Sequence, residues 1–281
     1  MKKITLFFAI FMAFFSVSAQ ITTPAASPTA TIMQQVGLGK VTISYSRPSL
    51  KGRKMLGAAN VPYGKVWRTG ANKITSIEFS EDMSVAGKAV AKGKYSLVTI
   101  PDVAEWTVIL NKDTEQWGTY NYKETDDVLR FKVKITKTKV KTETLTFDFA
   151  DTKPSTANVT LSWENTQVAF EVKHDADAQI LADIKAKMSA AEIKNDTYYD
   201  AADYYYTTNR DLQQALVWAT TMVEKDPQSW TYHLQAKIAA KLGQCDLAIN
   251  AATKGLAMAE KENDGAEIAN NKKVLESCGK K

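Results

Sequence analysis

The sequence predicts a mainly β plus α protein, in which an antiparallel β-sandwich is followed by a C-terminal tetratricopeptide-like α-helical repeat domain. Two observations lead to this prediction. From about residue 40 to residue 173 apolar and polar residues alternate, which is the period of half-buried strands. After residue 174 the apolar spacing changes to three and four and alanine becomes frequent, which is typical of packed helices. The predicted parts are residues 1–19, 20–174 and 175–281.

Residues 1–19 are predicted to be a secretory signal peptide. Lys2 and Lys3 form a positive start, residues 4–15 are almost all apolar, and Val17-Ser18-Ala19 is a small-residue end that signal peptidase accepts before Gln20. An apolar run of this length is too short for a membrane core of roughly 30 Å, and no other stretch approaches the ~20 apolar residues of a span. The mature protein is therefore expected to be periplasmic or secreted and not membrane-spanning.

Composition excludes few functions but disfavours nucleic acid as a partner. The chain has 36 Lys and Arg against 31 Asp and Glu, a formal net charge of +5, and Lys2 and Lys3 supply two of those charges. So small a bias gives little attraction for a polyanion, and export makes that partner less expected still. A hydrophobic content of 44% in 281 residues is ordinary for a globular protein with two domains.

The first half is predicted to contain about eight to ten short strands, because turn residues such as Pro101-Asp102, Asp151 to Pro154 and Asn165 separate the alternating stretches. No helical pattern lies between the stretches, which favours an antiparallel sandwich. The eight stretches contain Val41 to Tyr45, Ile77 to Phe79, Tyr95 to Leu97, Trp106 to Leu110, Val128 to Ile135, Leu145 to Phe149, Val159 to Trp163 and Val168 to Val172.

The second half is predicted to hold two helical repeats between a leading helix near residues 176–193 and a capping helix near 265–277. At an offset of 33 residues Tyr199 matches Tyr232, and Ala215 and Ala219 match alanines. This half resembles a tetratricopeptide repeat, although its second repeat has Ala239 where an aromatic residue is usual. The resemblance implies a concave surface that a protein partner could use.

The two cysteines are predicted to form a disulfide. Cys245 is expected to begin one helix and Cys278 to end the capping helix, with a turn near Asn263 to Gly265 between them, so an antiparallel hairpin brings them together. With His174 and His233 as the chain's histidines, the supply of ligands for a metal is poor. We expect no metal site, no other cofactor and no catalytic histidine.

A loop-rich stretch between residues 45 and 79 holds the candidate ligand-binding residues. Arg47, Arg53 and Arg68 alternate there with aromatic residues and turn residues, and we expect the three guanidinium groups to converge. One interpretation is a cleft for an anion; the other is that each arginine pairs with an acid such as Glu78, Asp126, Asp127 or Glu164. Trp117 is included among the candidate ligand-binding residues because its loop suggests an exposed aromatic side chain that could hold a sugar. The tentative set is Arg47, Arg53, Trp67, Arg68, Asn72 and Trp117.

Several long motifs give the first half a family resemblance. They read YSRPSLKGRKMLG, VPYGKVWRTGAN, GKYSLVTIP, EWTVILN, QWGTYNY, DDVLR and LSWE. Over roughly residues 27–173 the chain resembles the bacterial exported family catalogued as domain of unknown function 2911. The resemblance implies export and no assigned activity.

Two functions remain open. The first is an exported non-enzymatic binding protein, with an anion- or glycan-binding loop region in the sandwich and a protein-interaction module in the helices. The alternative is an envelope hydrolase that uses the arginine-rich loop and a carboxylate, such as Asp126 or Asp127 beside Arg130. No nucleophile and base are paired in a recognisable motif, so no catalytic residue is predicted.

Overall fold

A computed structural model describes residues 23–279, so the predicted signal peptide lies outside the described residues. The chain divides into two compact units between Asp175 and Ala176. We call them the sheet unit and the helical unit. Each has its own apolar core.

Ten strands form two antiparallel sheets in the described part of the sheet unit. In chain order they are β1 (Thr29–Val36), β2 (Gly39–Ser46), β3 (Ser76–Phe79), β4 (Met83–Val85), β5 (Lys88–Val90), β6 (Gly93–Ile100), β7 (Glu105–Asn111), β8 (Asp127–Lys134), β9 (Thr136–Ala150) and β10 (Thr156–Lys173). One sheet has the order β1-β2-β3-β6-β7-β8, and the other has the order β5-β4-β10-β9.

The two sheets share one core because every second side chain of their strands points inward. In β7, for example, Trp106, Val108 and Leu110 are almost fully buried. Ring contacts join the sheets directly: Tyr45 packs edge-on against Phe147 at 4.9 Å between centroids, and Phe131 packs against Phe170 at 5.5 Å. The predicted β-rich first half and helical second half are confirmed.

The prediction of two strands separated by a turn at Asn165 is wrong. β10 runs without a break through that position, and its pairing with β9 shifts register on both sides of Glu164. Glu164 has a positive φ of 54°, so the irregularity is a bulge and not a turn. The chain changes sheets at Ile135, between β8 and β9.

Up to residue 279, the helical unit consists of six helices: α1 (Asp177–Met188), α2 (Asn195–Thr207), α3 (Leu212–Lys225), α4 (Ser229–Lys241), α5 (Cys245–Glu262) and α6 (Gly265–Cys278). The pair α4 and α5 begins 34 and 33 residues after the pair α2 and α3. Ala215 and Ala219 of α3 and their counterparts Ala248 and Ala252 of α5 are all fully buried. Small side chains at these places let neighbouring helices approach closely.

Cys245 and Cys278 are joined by the predicted disulfide, with 5.3 Å between their Cα atoms. The turn between α5 and α6 forms as expected: Asn263 adopts the left-handed conformation, and the Asp264 side chain accepts hydrogen bonds from the backbone N–H groups that begin α6. In residues 23–279 no helix combines the length and the apolar character that a membrane crossing requires.

Candidate functional site

The arginine-rich loop is fastened to β6 at two points. The backbone N–H and C=O of Trp67 exchange hydrogen bonds with Thr99, and the C=O of Thr75 accepts from the N–H of Leu97. The chain between these points makes a small closed loop, in which the N–H of Thr75 donates to the C=O of Arg68. The rigid strand thus holds Arg68 in a defined place.

A cavity of about 300 Å³ opens beside this loop. Both Arg53 and Arg68 line it, together with the neutral polar residues Ser27, Asn60 and Thr119. Its remaining lining is apolar or backbone: Pro48, Met55, Val61, Val66, Trp67, Gly70, Ala71 and Trp163. This combination of a few polar groups with an apolar lining is usual for small-molecule sites.

Arg68 is the one of the three arginines whose guanidinium has no partner among the described residues. Its Nε is buried and makes no hydrogen bond. In the described part of the sheet unit, the buried side-chain nitrogen and oxygen atoms without a partner all belong to Arg68 and Gln116. Buried polar groups are normally satisfied, so these two residues mark a place where the protein leaves hydrogen-bonding capacity unused.

Arg47 and Arg53 have structural partners, but these are not carboxylates. Arg47 donates from Nε to the C=O of Leu145 and from Nη2 to Oγ1 of Thr146, which fastens the loop to β9. Arg53 donates to the C=O groups of Leu50 and Ser49 in its own loop while it also lines the cavity. Among the described residues no ion pair joins Arg47, Arg53 or Arg68 to an acid.

Two tryptophans form the buried wall of the cavity. Trp67 stacks on Trp163 with 5.7 Å between ring centroids and 9° between the ring planes. Trp67 is 7% exposed and Trp163 is 1% exposed, so both are mainly core residues. Glu164 follows Trp163 at the bulge of β10, and its Oε1 accepts from the N–H groups of Met55 and Leu56 at 2.6 and 3.1 Å. This carboxylate therefore holds the loop in place and does not pair with an arginine.

Asn72 and Trp117 do not line the cavity. The Asn72 amide donates to the C=O of Ser27 and adopts a positive φ of 58°, which is a turn role. Trp117 pairs with Lys73 in an isolated bridge, and its side chain is 67% exposed. The loop that carries Trp117 nevertheless reaches the cavity through Thr119.

Sequence reasoning missed Asn60, Thr119, Trp163 and the buried amide of Gln116. Trp163 is a core residue, and no local pattern shows that a core tryptophan also borders a cavity. Asn60 and Thr119 are short polar residues in loops, and their approach to Arg68 depends on contacts between distant parts of the chain.

Asp127, one of the two acids considered for hydrolysis, has structural partners. Asp127 accepts from Arg130, from the hydroxyl of Tyr122 and from the amide of Asn111, which makes a satisfied structural cluster. Burial, and then the hydrogen bond to Asp127, raise the pKa of Tyr122 to about 12. His174 is also structural: it is buried, and its Nδ1 accepts from the N–H of Leu38.

The helical unit contains a second concavity, a groove of about 540 Å³ between α2, α4 and α6. Lys237 and Lys241 both lie over the ring of Tyr206, at 4.8 and 4.6 Å from its centroid. Lys237 is paired with Asp203, whereas Lys273 on α6 has no partner among the described residues. The described lining thus carries an excess of positive charge.

The fold and the cavity define the sheet unit as a two-sheet antiparallel domain with a cationic, tryptophan-walled cavity. The chain belongs to the family described as protein of unknown function (DUF2911), whose model matches residues 27–172. This match confirms the resemblance seen in the motifs and covers most of the sheet unit. No curated protein and no solved structure matches the chain significantly.

Proposed function

We propose that the protein is an exported, non-enzymatic binding protein whose sheet unit binds a small anion in the cavity beside Arg68. The observation that carries the proposal is the Arg68 guanidinium, which borders a cavity and has a buried Nε without a partner. A cation that is partly removed from water and unpaired is unfavourable, and a bound carboxylate, phosphate or sulfate would offset that cost. Such groups match the planar fork of arginine.

Binding is favoured over hydrolysis by the chemistry of the cavity. Among the described residues that line it, none is a carboxylate, a histidine or a cysteine. General acid–base catalysis needs such a group within hydrogen-bond reach of the reacting atoms. Arg53, whose Nε and Nη2 are used by its own loop, would add a second positive charge at the same cavity.

The test is ligand-shift melting of the mature protein with phosphate, sulfate and citrate. A ligand at 100 times its Kd should add about 2.7 kcal/mol of stability. Arg68→Ala should abolish the shift without lowering the ligand-free melting temperature, because an unpaired cation is removed. Lys65→Ala, which removes an exposed charge three residues away, should keep the shift.

A comparison with Arg47 separates binding from structural fastening. Arg47→Ala should lower the ligand-free stability by about 1–3 kcal/mol, because two hydrogen bonds from a charged group to β9 are lost. An equal anion shift in Arg68→Ala and in the unaltered protein would refute the proposed site, since it would show only the general stabilisation that sulfate and phosphate give to proteins.

Export is part of the proposal and is supported by the disulfide, because such bonds persist in oxidising compartments. The predicted signal peptide supplies the route. Detection of the protein in the periplasmic or culture fraction, starting at Gln20, would test both statements.

For the helical unit we propose a role as a protein-interaction module, with an acidic segment of the partner in the groove lined by Lys237, Lys241 and Lys273. Adjacent lysines on α6 provide a matched pair, since Lys272 is 3.9 Å from Glu260 and does not line the groove. Lys273→Ala should weaken capture of an acidic peptide more than Lys272→Ala does, and equal losses would count against the groove.

A further inference from the structure

The loop from Gln116 to Tyr120 lies directly beside the Arg68 loop. The N–H of Ile74 donates to the C=O of Gln116, and the N–H of the next residue, Thr75, donates to the C=O of Arg68. Residues 74 and 75 therefore connect the two loops through backbone hydrogen bonds. Thr119 of this loop lines the same cavity as Arg68.

Gly118 brings an aromatic ring next to the guanidinium. A Cβ atom on Gly118 would lie 2.9 Å from Cε2 of Tyr120 and 3.3 Å from Nη1 of Arg68. Both atoms lie close to this one position, so the distance between Cε2 of Tyr120 and Nη1 of Arg68 is at most the sum of the two distances. Gly118 also has a positive φ of 79°, so glycine serves both the turn and this close approach.

Two large aromatic side chains of this loop are in solvent. Tyr120 is 86% exposed and Trp117 is 67% exposed, whereas Trp67, Trp106 and Trp163 of the same unit are at most 7% exposed. Exposed rings are unfavourable in water and are typical of surfaces that receive an apolar or flat ligand face, and the Tyr120 ring lies next to Arg68, which lines the cavity.

We propose that the anion is carried by a sugar: the sheet unit binds a pyranose with an anionic substituent, such as a uronate. This inference rests on the anion site proposed above. The charged group lies at Arg68 and Arg53, one ring face packs on Tyr120 and Trp117, and hydroxyl groups bond to Ser27, Asn60 and Thr119. A cavity of about 300 Å³ has room for one such unit.

The experiment is calorimetric titration of the mature protein with glucuronate, glucose 6-phosphate, glucose 6-sulfate, glucose and acetate. Glucuronate should bind at least roughly tenfold more tightly than acetate, and glucose should bind far more weakly than any of the three charged sugars. The phosphate and sulfate sugars show which anionic group is preferred. Trp117→Ala and Tyr120→Ala should each weaken glucuronate by roughly three- to tenfold and leave acetate unchanged.

Tyr63→Ala is the matched control, because Tyr63 is an exposed aromatic residue whose ring lies against Gly57, whereas the Tyr120 ring lies beside Gly118 and Arg68. It should bind glucuronate like the unaltered protein. Unchanged glucuronate affinity in the Trp117→Ala/Tyr120→Ala double variant would overturn the sugar inference, and so would equal affinities for glucuronate and acetate. If either of these results is found while Arg68→Ala loses all anion binding, the proposed anion site is still supported and only the sugar inference fails. The two proposals can therefore fail separately.

Discussion

At the scale of single residues, the protonation of His233 makes the stability of the helical unit depend on pH. Burial lowers the pKa of His233 below its usual 6.5, and the nearby Glu267 carboxylate, 3.6 Å from Nδ1, does not offset this effect. Lys237 lowers the pKa further, and Asp203 acts in the opposite direction. The unfolded chain, with an ordinary histidine, therefore takes up this proton at a higher pH than the folded chain does.

Stability should consequently fall as the pH drops below about 6.5, because the unfolded state binds the proton first in that range. Well above that pH His233 is neutral in both the folded and the unfolded state, so its protonation does not reduce the stability. We expect the free energy of unfolding to decrease more in the unaltered protein than in His233→Gln between about pH 7.5 and about pH 5.5, where most carboxylates do not yet titrate. Urea unfolding at both pH values measures the difference. A larger decrease in the variant would mean that Glu267 dominates and the pKa of His233 is raised.

Residue chemistry predicted part of the candidate site. Arg53, Trp67 and Arg68 line one cavity, because an arginine-rich loop in a sheet protein is short enough to gather them. Arg47 has the same local composition and yet points its guanidinium at β9. The difference depends on the register between the loop and β9, which sequence alone does not contain. The same holds for Thr119, whose contact is made across the fold.

At the scale of elements, the α5–α6 hairpin illustrates how a covalent bond supports a small helical stack. Cys245 begins α5 and Cys278 ends α6, so their disulfide ties the open end of the hairpin opposite the Asn263–Asp264 turn. The cysteines are 33 residues apart. In the chain-entropy description a closed loop of that length stabilises by about 3–4 kcal/mol.

The double variant Cys245→Ala/Cys278→Ala should therefore lose about 3–4 kcal/mol of unfolding free energy in the helical unit. Reduction of the unaltered protein with dithiothreitol should give a comparable loss, and the same reductant should not affect the double variant. Circular dichroism at the helical band during denaturant unfolding measures both. Two titratable thiols in the non-reduced protein would contradict the expectation.

The strands show where pattern reasoning succeeds and where it stops. Alternation predicted β2, β3 and parts of β6 to β9 because large apolar side chains recur at every second position, and this signal is local. It did not show that β6 is buried on both faces from Tyr95 to Thr99. The short strands β4 and β5 have three residues each, too few for a period to be recognised. Asparagine favours turns and so predicts a turn at Asn165, but pairing of β10 with β9 on both sides overrides that preference and leaves a bulge.

At the scale of the whole molecule, the two units have separate cores. The sheet core joins residues from Val36 to Val172, and the helical core joins residues from Ala202 to Cys278. Helix α1, which lies between the residues of the two cores in the sequence, has no buried residue. It is held by Asp177, which pairs with Arg210 and accepts from the hydroxyl of Tyr204. Few buried contacts imply low local stability, so α1 should open before either core does.

Limited proteolysis should reveal this order. The change from alternating to helical spacing predicts a cut at Lys173 to Ala178, but Lys173 pairs with Ser84 in the sheet and His174 is buried. Trypsin is therefore expected to cut first after Lys185, Lys187 or Lys194, which are exposed in α1 and in the segment before α2. Two fragments should remain, one with the sheets and one with α2 to α6, and each should melt cooperatively on its own.

A variant makes the proteolysis experiment specific to α1. Arg210→Ala removes the ion pair with Asp177, so α1 should open more often and cleavage at these lysines should accelerate. Lys272→Ala, which changes one exposed charge elsewhere in the helical unit, should leave the rate unchanged. Mass spectrometry of the early products identifies the sites. If the protein is instead cut at its termini alone, or unfolds as one cooperative body, then α1 is not the weak point and the two units are not independent in stability.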